Sequence, residues 1–159
     1  MMKKILIVAG FGLLSIVLQV VFGPWLTVGG IKPDFVLILV LFVAILNGRV
    51  VGQLFGFGMG LLVDIIGMGS FLGLSALSKT VAGFLAGYFK SRRNRFNRLM
   101  YYALSLLIIL IQFTIVYLIN FKSVEISTQY LFMRYILPET IYTGLIFILL
   151  DYIFAFESF

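Results

Sequence analysis

The sequence predicts an all-α fold, a polytopic membrane bundle of about six transmembrane helices that forms one domain over residues 1–159. The first observation is composition: 62% of the residues are hydrophobic, 11% are charged, and the mean hydropathy is +1.16. Soluble domains average about 45–50% apolar and about 25% charged residues. The second observation is that apolar stretches near the roughly 20 residues needed to cross a bilayer recur along the chain. The third is that Lys and Arg lie mostly between these stretches.

The first two apolar stretches predict helices over about residues 5–22 and 34–46. We expect the first helix to be retained, because it is longer than the apolar region of a cleaved signal peptide and Gly23–Trp25 is not a small-residue cleavage site. Pro33 suits the first turn of the second helix, where its missing N–H needs no partner. Asp34 suits the same turn, because the helix dipole favours a negative charge there.

Four further helices follow from the remaining apolar stretches. The residues 67–70 predict a tight turn, and residues 130–137 are expected to lie in the membrane interface. The four helices are expected over about residues 50–66, 71–89, 99–120 and 138–156.

The distribution of Lys and Arg predicts the orientation of the bundle. With the N-terminus inside, eight of the 12 cations fall on the cytoplasmic side, three fall outside, and Lys79 lies within the fourth helix. Both termini are therefore expected to be cytoplasmic. This segregation also explains the net charge of +6 without a nucleic-acid partner. Five of the inner cations form a basic loop that is expected to set topology and could also attract anionic lipid: Lys90, Arg92, Arg93, Arg95 and Arg98.

Small residues recur at four-residue spacing in the third and fourth helices. Such spacing lets helix backbones approach closely, and this packing drives helix association in lipid. Packing inside the bundle, packing against a partner, a helix softened by glycine and lipid-facing glycines all remain open. The glycines of greatest interest are Gly52, Gly56 and Gly60 in the third helix, and Gly83 and Gly87 in the fourth.

Two ionisable residues interrupt the same helices. Asp64 ends the glycine row of the third helix, and Lys79 lies about eight residues into the fourth. The two helices are antiparallel neighbours, and the depths differ by roughly 7–8 Å, which a lysine side chain can span. We therefore predict that Asp64 and Lys79 interact, directly or through water. Charges in membrane segments are costly, so the pair is a structural neutralisation or a functional site.

The residue types exclude several kinds of chemistry. The chain has no Cys and no His, which removes disulfides, Cys or His metal sites and histidine acid/base catalysis. The six acidic residues show no close pairing in sequence, and no nucleotide-binding or hydrolase motif is present. We therefore predict no catalytic, metal or cofactor site and no enzyme activity.

Several segments resemble the MreD family of bacterial rod shape-determining proteins. Lys32–Leu37 is similar to the Pro-Asp-Leu-Leu-Leu opening of that family's second helix, and Gly48–Asp64 resembles its glycine-rich third helix ending in Asp. Lys79 departs from the family's pattern. The match is sharpest over residues 32–93; it continues through Gly69–Leu77 and Gly83–Gly87, and weakly at Pro138–Thr140.

The resemblance implies a non-catalytic, multi-pass scaffold in the bacterial inner membrane that maintains rod shape. It implies an MreC-like single-pass partner, with MreB, RodA and penicillin-binding protein 2 around it, and a role in organising peptidoglycan synthesis. An alternative is the substrate-binding membrane component of an energy-coupling-factor vitamin transporter. That role requires polar groups that converge on an outer cavity, for which the candidates are Asp34, Asp64, Lys79, Glu139 and Trp25.

Overall fold

The structure, a computed structural model, describes residues 2–66, 71–90, 96–122 and 127–154. The regular structure of these residues is helical, which confirms the all-α prediction. The helices are α1 (Met2–Val21), α2 (Phe35–Asn47), α3 (Arg49–Ile65), α4 (Leu74–Ala86), α5 (Arg98–Asn120), α6 (Thr128–Leu131) and α7 (Leu137–Phe154). The predicted turn at 67–70 lies outside the described residues.

Helix α2 is the centre of the bundle. It packs against α1, α3, α4 and α7, and Val36, Ile38 and Leu41 are buried although they lie on different sides of the helix. A helix that is apolar all round belongs in the interior of a bundle. Phe42 of α2 stacks on Phe147 of α7 with ring centroids 4.9 Å apart, in the main core that α2 shares with α4, α5 and α7.

Helices α3 and α4 form the most closely packed pair. Helix α4 starts later than predicted, because Gly73 has a φ of +92° and ends the preceding turn in the left-handed region. One 3₁₀ turn, Gly87–Phe89, extends α4 at its other end. The two antiparallel helices therefore present their glycine-bearing faces to each other.

The C-terminal helix begins before the predicted start at Pro138. Helix α6 runs through one π-helical turn, Phe132–Ile136, directly into α7. Proline has no N–H to donate, and its ring clashes with the carbonyl group four residues earlier, here that of Arg134. The widened turn accommodates the ring, so the segment predicted to lie in the interface forms the first two turns of one long helix.

The connection between α1 and α2 is held against this C-terminal helix. Gly29 and Gly30 have φ values of +60° and +85°, which allow a tight turn. Arg134 donates a hydrogen bond to the carbonyl oxygen of Gly29 at 3.1 Å, and the Tyr142 hydroxyl donates to that of Leu26 at 3.2 Å. These bonds fix the chain that leads into α2.

Two helices are long and apolar enough to cross a membrane by length and composition, Arg98–Asn120 and Thr128–Ile153. Shorter apolar helices cover Gly10–Val21 and Phe35–Asn47. Large apolar side chains on the outer faces of α5 and α7 are exposed, among them Leu107, Leu145 and Leu149. Such faces are suited to contact with lipid. That six helices cross the membrane, with both termini in the cytoplasm, stays a prediction.

Candidate functional site: a polar cavity beside the α3–α4 hairpin

The glycines of α3 lie against α4 with no space for a side chain. A Cβ atom on Gly56 would overlap the carbonyl group of Lys79, and one on Gly60 would overlap the backbone of Ala76. Backbone atoms in a helix cannot move aside as the end of a flexible side chain can. In lipid, where the hydrophobic effect does not drive helices together, this close approach supplies van der Waals contact.

The same interface extends toward the other end of the hairpin. Gly52 and Gly83 face each other, so that a Cβ on either would overlap the carbonyl oxygen of the other. Gly87 lies against the backbone of Arg49. By contrast, Gly58 of α3 has open space around its Cβ position. The five glycines singled out from the sequence thus share one interface inside the bundle.

Asp64, at the C-terminal end of α3, caps the N-terminus of α4. Its Oδ2 accepts hydrogen bonds from the backbone N–H of Gly73 at 2.8 Å and of Ala76 at 3.3 Å, and its Oδ1 accepts from Ser75 at 3.3 Å. The first N–H groups of a helix have no partner within the helix, and a carboxylate there is also favoured by the helix dipole. Gly73 has no side chain to fill this role, so Asp64 supplies it from the neighbouring helix.

Replacing Asp64 with alanine is expected to lower the free energy of unfolding by about 2 kcal/mol, because it leaves the buried N–H groups at the start of α4 without an acceptor. Asp64→Asn keeps one acceptor oxygen and is expected to lose less. Denaturant unfolding of the purified protein in detergent measures both variants. Wild-type stability of Asp64→Ala would contradict the capping role.

The predicted direct pair between Asp64 and Lys79 is wrong, because Lys79 pairs with Asp34. Lys79 Nζ lies 2.6 Å from Asp34 Oδ2, and the two side chains are only 4% and 14% exposed. Asp64 is occupied by the N–H groups of α4 instead. The pair therefore joins the start of α2 to α4, and each charge neutralises the other in a buried position.

Asp34 has a second role as the N-cap of α2. Its Oδ1 accepts a hydrogen bond from the backbone N–H of Leu37 at 2.8 Å, and its own N–H donates to Thr143 Oγ1 of α7 at 3.2 Å. Pro33 lies one residue before this cap, not in the first turn as predicted. The proline carbonyl instead accepts a hydrogen bond from Gln19 Nε2 at 3.1 Å, which ties α1 to the start of α2.

A cavity of about 330 Å³ opens at this end of the bundle. It lies where α2, α4 and the C-terminal helix begin and where α5 ends, the end that the Lys and Arg count predicts to be outside. Its wall includes the aromatic side chains of Phe113, Tyr117, Phe121 and Tyr135. Its charged and amide lining residues are Gln19, Lys32, Asp34, Lys79, Gln112, Asn120 and Glu139.

Glu139 is the second acidic side chain of the cavity and is only 4% exposed. The Tyr117 hydroxyl and the backbone of Lys32 lie near its carboxyl group. The side chain of Lys32 is exposed at the rim. The cavity thus contains two acidic and two basic groups, one of each in the Asp34–Lys79 pair.

The two described cations of the predicted basic loop, Lys90 and Arg98, lie at the opposite end of the bundle. Lys90 donates from Nζ to the carbonyl oxygen of Asn47 at 3.0 Å, where α2 ends, and Arg98 is the first residue of α5. Arg92, Arg93 and Arg95 lie outside the described residues. The length of α2 therefore separates Lys90 from the cavity.

Sequence reasoning singled out Asp34, Lys79 and Glu139 but did not predict that they meet. Two other residues were predicted as candidates to line an outer cavity. Asp64 instead caps a helix, and Trp25 is 89% exposed and does not line the cavity. Gln112 and Asn120 were not expected at a site. A polar amide in an otherwise apolar helix was the signal that could have found them, since polar groups within a membrane are costly.

Comparison with known proteins agrees with the resemblance noted in the sequence. The family model for the rod shape-determining protein MreD matches residues 1–157, essentially the whole chain. Neither the curated proteins nor the solved structures gave a match. The family match spans the glycine interface, the buried ion pair and the cavity, and on its extent the chain belongs to the MreD family of rod shape-determining proteins.

Proposed function

We propose that this chain is a non-catalytic scaffold of the bacterial inner membrane that helps to maintain rod cell shape. It binds an MreC-like single-pass protein and so connects MreB, RodA and penicillin-binding protein 2 into one machinery for peptidoglycan synthesis. The observation that carries the proposal is the family match over residues 1–157.

In this proposal the six longer helices cross the membrane, with both termini in the cytoplasm. Two long apolar helices and two shorter ones support the arrangement. Helix α2 is short, but it is enclosed by other helices rather than by lipid. The buried pair of Asp34 and Lys79 is then neutral as a unit, which lowers the cost of placing charge within a membrane protein.

A lateral groove between α1 and α3 is the surface that we propose for the partner helix. It has a volume of about 520 Å³ and an apolar lining of Leu13, Leu54, Phe55, Gly58, Met59 and Leu62. Leu13 and Leu54 are 64% and 69% exposed. The open space at Gly58 lets another helix approach closely, which is the packing that joins helices in lipid.

Leu54→Trp is expected to reduce the amount of MreC-like protein that co-purifies by about fivefold, because a clash of about 1 kcal/mol changes an equilibrium constant by that factor. Leu149→Trp is the matched control, since Leu149 is 57% exposed on α7, which does not line the groove. Quantitative mass spectrometry of the two purified variants measures the amount of MreC-like protein recovered per chain. Equal recovery in both would place the partner elsewhere.

The cellular role is tested by depleting the chain in its own bacterium. Rods are expected to widen and become round, and the wild-type chain is expected to restore their width. Leu54→Trp is expected to restore it poorly, while Leu149→Trp restores it fully. Unchanged cell width after depletion would contradict the proposed role.

A transport role is the second candidate, favoured by one observation. Asp34, Lys79 and Glu139 converge on one cavity, as a substrate-binding component of an energy-coupling-factor transporter requires. Co-purification of an ATPase pair with a bound vitamin would support this candidate over the scaffold.

A further inference from the structure

Two amide oxygens in the cavity wall have no hydrogen-bond partner among the described residues. They are Oε1 of Gln112 and Oδ1 of Asn120, both buried. Gln112 is only 2% exposed, and its Nε2 donates to Ser78 Oγ at the long distance of 3.5 Å. Buried polar groups in native proteins are nearly always paired. Because both residues line the cavity, a hydrogen-bond donor inside it would supply the missing partner once a small rotation of each amide group brings its oxygen to the cavity surface.

The charges of the cavity point to an uncharged ligand. Lys79 is neutralised by Asp34 at 2.6 Å, and the remaining acidic and basic side chains of the lining are one of each sign, Glu139 and Lys32. An anionic or cationic ligand would leave one charge in excess in a buried place, which costs more than burying a neutral ligand. The two unpaired oxygens can therefore accept hydrogen bonds from N–H or O–H groups of a neutral molecule.

Another part of the wall is aromatic. Tyr117 stacks on Phe121 and on Tyr135, with ring centroids 6.0 Å and 5.6 Å apart. Aromatic faces pack against the C–H groups of a carbon skeleton and bury apolar area. A volume of about 330 Å³ is at the small end of ligand sites, which span about 300–1,000 Å³. The site thus suits a compact molecule that carries several hydroxyl groups.

We propose that this cavity binds one small uncharged polyhydroxyl compound, of about the size of a monosaccharide. Its hydroxyl groups donate to Gln112 and Asn120, and its carbon skeleton packs on the stacked aromatic side chains. The polyhydroxyl group belongs to a free solute or to the headgroup of a lipid. The site is separate from the groove between α1 and α3, so it is independent of the scaffold proposal.

Native mass spectrometry of the full chain, extracted from native membranes in mild detergent, tests occupancy and source. Wild type and Gln53→Leu are expected to carry one adduct per chain, and Gln112→Leu is expected to lose it. Gln53 is the matched control because it lies on α3 outside the cavity. A single small mass identifies a free solute, and a series spaced by acyl-chain length identifies a lipid.

Thermal unfolding with added probes covers a ligand that is lost on extraction. Glycerol, inositol, glucose and N-acetylglucosamine are the uncharged probes, and glucosamine and glucose 6-phosphate are the charged ones. At least one uncharged probe is expected to raise the midpoint by about 3 °C more in wild type and Gln53→Leu than in Gln112→Leu or Asn120→Leu. The comparison between variants removes the general stabilisation that polyols give all proteins.

Two results would overturn the proposal. One is the absence of an adduct together with equal responses of all variants to every uncharged probe, which would mean that water alone fills the cavity. The other is stabilisation by a charged probe in preference to the uncharged ones, which would contradict the charge balance. Asn120→Leu keeps the test usable if Gln112→Leu does not fold.

Discussion

Asp34→Asn is expected to lower the free energy of unfolding by about 3–5 kcal/mol, the largest effect of any single side chain in this protein. The substitution leaves the Lys79 ammonium group buried without a counter-charge. An asparagine oxygen can still accept the hydrogen bond from Leu37, so the cap of α2 remains and the loss reports the charge. Denaturant unfolding in detergent at neutral pH measures the change.

The double variant Asp34→Asn/Lys79→Met isolates the pair. The loss of unfolding free energy in the double variant is expected to be smaller than the sum of the losses in the two single variants. The difference, which is the coupling energy between the two side chains, is expected to be about 2 kcal/mol. Lys122→Met is the matched control, since Lys122 is an exposed lysine that does not line the cavity and is expected to change stability by less than about 0.5 kcal/mol. Additive losses in the double variant would show that the two side chains act independently.

Gly56→Leu and Gly60→Leu are each expected to destabilise the folded bundle by about 3 kcal/mol or more, because overpacking here forces backbone against backbone. A Cβ alone already overlaps α4 at both positions. Helices α3 and α4 must then move apart, and the hydrogen bonds from Asp64 to the N-terminus of α4 are lost. Membrane insertion depends on hydropathy and is expected to be unchanged. Unfolding in detergent and the membrane fraction of the expressed protein measure the two properties.

Gly58→Leu is the control for this prediction. Gly58 lies on the same helix, between the two packed glycines, but its Cβ position is open. It is expected to leave the free energy of unfolding unchanged or to raise it by up to about 1 kcal/mol, because leucine favours a helix more than glycine does. If all three variants lose stability equally, the effect comes from glycine in the helix and not from the α3–α4 contact.

Hydropathy and the spacing of small residues predicted much of the fold. Helices occur close to the predicted ranges because a membrane helix needs a long apolar run, which a sequence shows directly. The four-residue spacing of glycines similarly placed Gly52, Gly56 and Gly60 on one face of α3. The predicted start near Pro138 missed the π turn, because a widened turn that accommodates a proline depends on what the helix before it packs against.

The partner of Lys79 could not be obtained in the same way. Asp64 was the acidic residue nearest in sequence on the adjacent helix, whereas Asp34 is 45 residues away. Two features of the tertiary structure decide the pairing. The carboxylate of Asp64 accepts hydrogen bonds from the N–H groups of α4, and α2 lies in the centre of the bundle. The cavity depends in turn on several helix ends that meet at one place, which no local pattern encodes.

The most direct test of the central claim is affinity purification of the tagged chain from native membranes in mild detergent, with co-purifying proteins and small molecules identified by mass spectrometry. The scaffold account predicts recovery of an MreC-like single-pass protein together with elongation synthases such as RodA and penicillin-binding protein 2. Recovery of an ATPase pair and a bound vitamin, with no MreC-like protein, would contradict it.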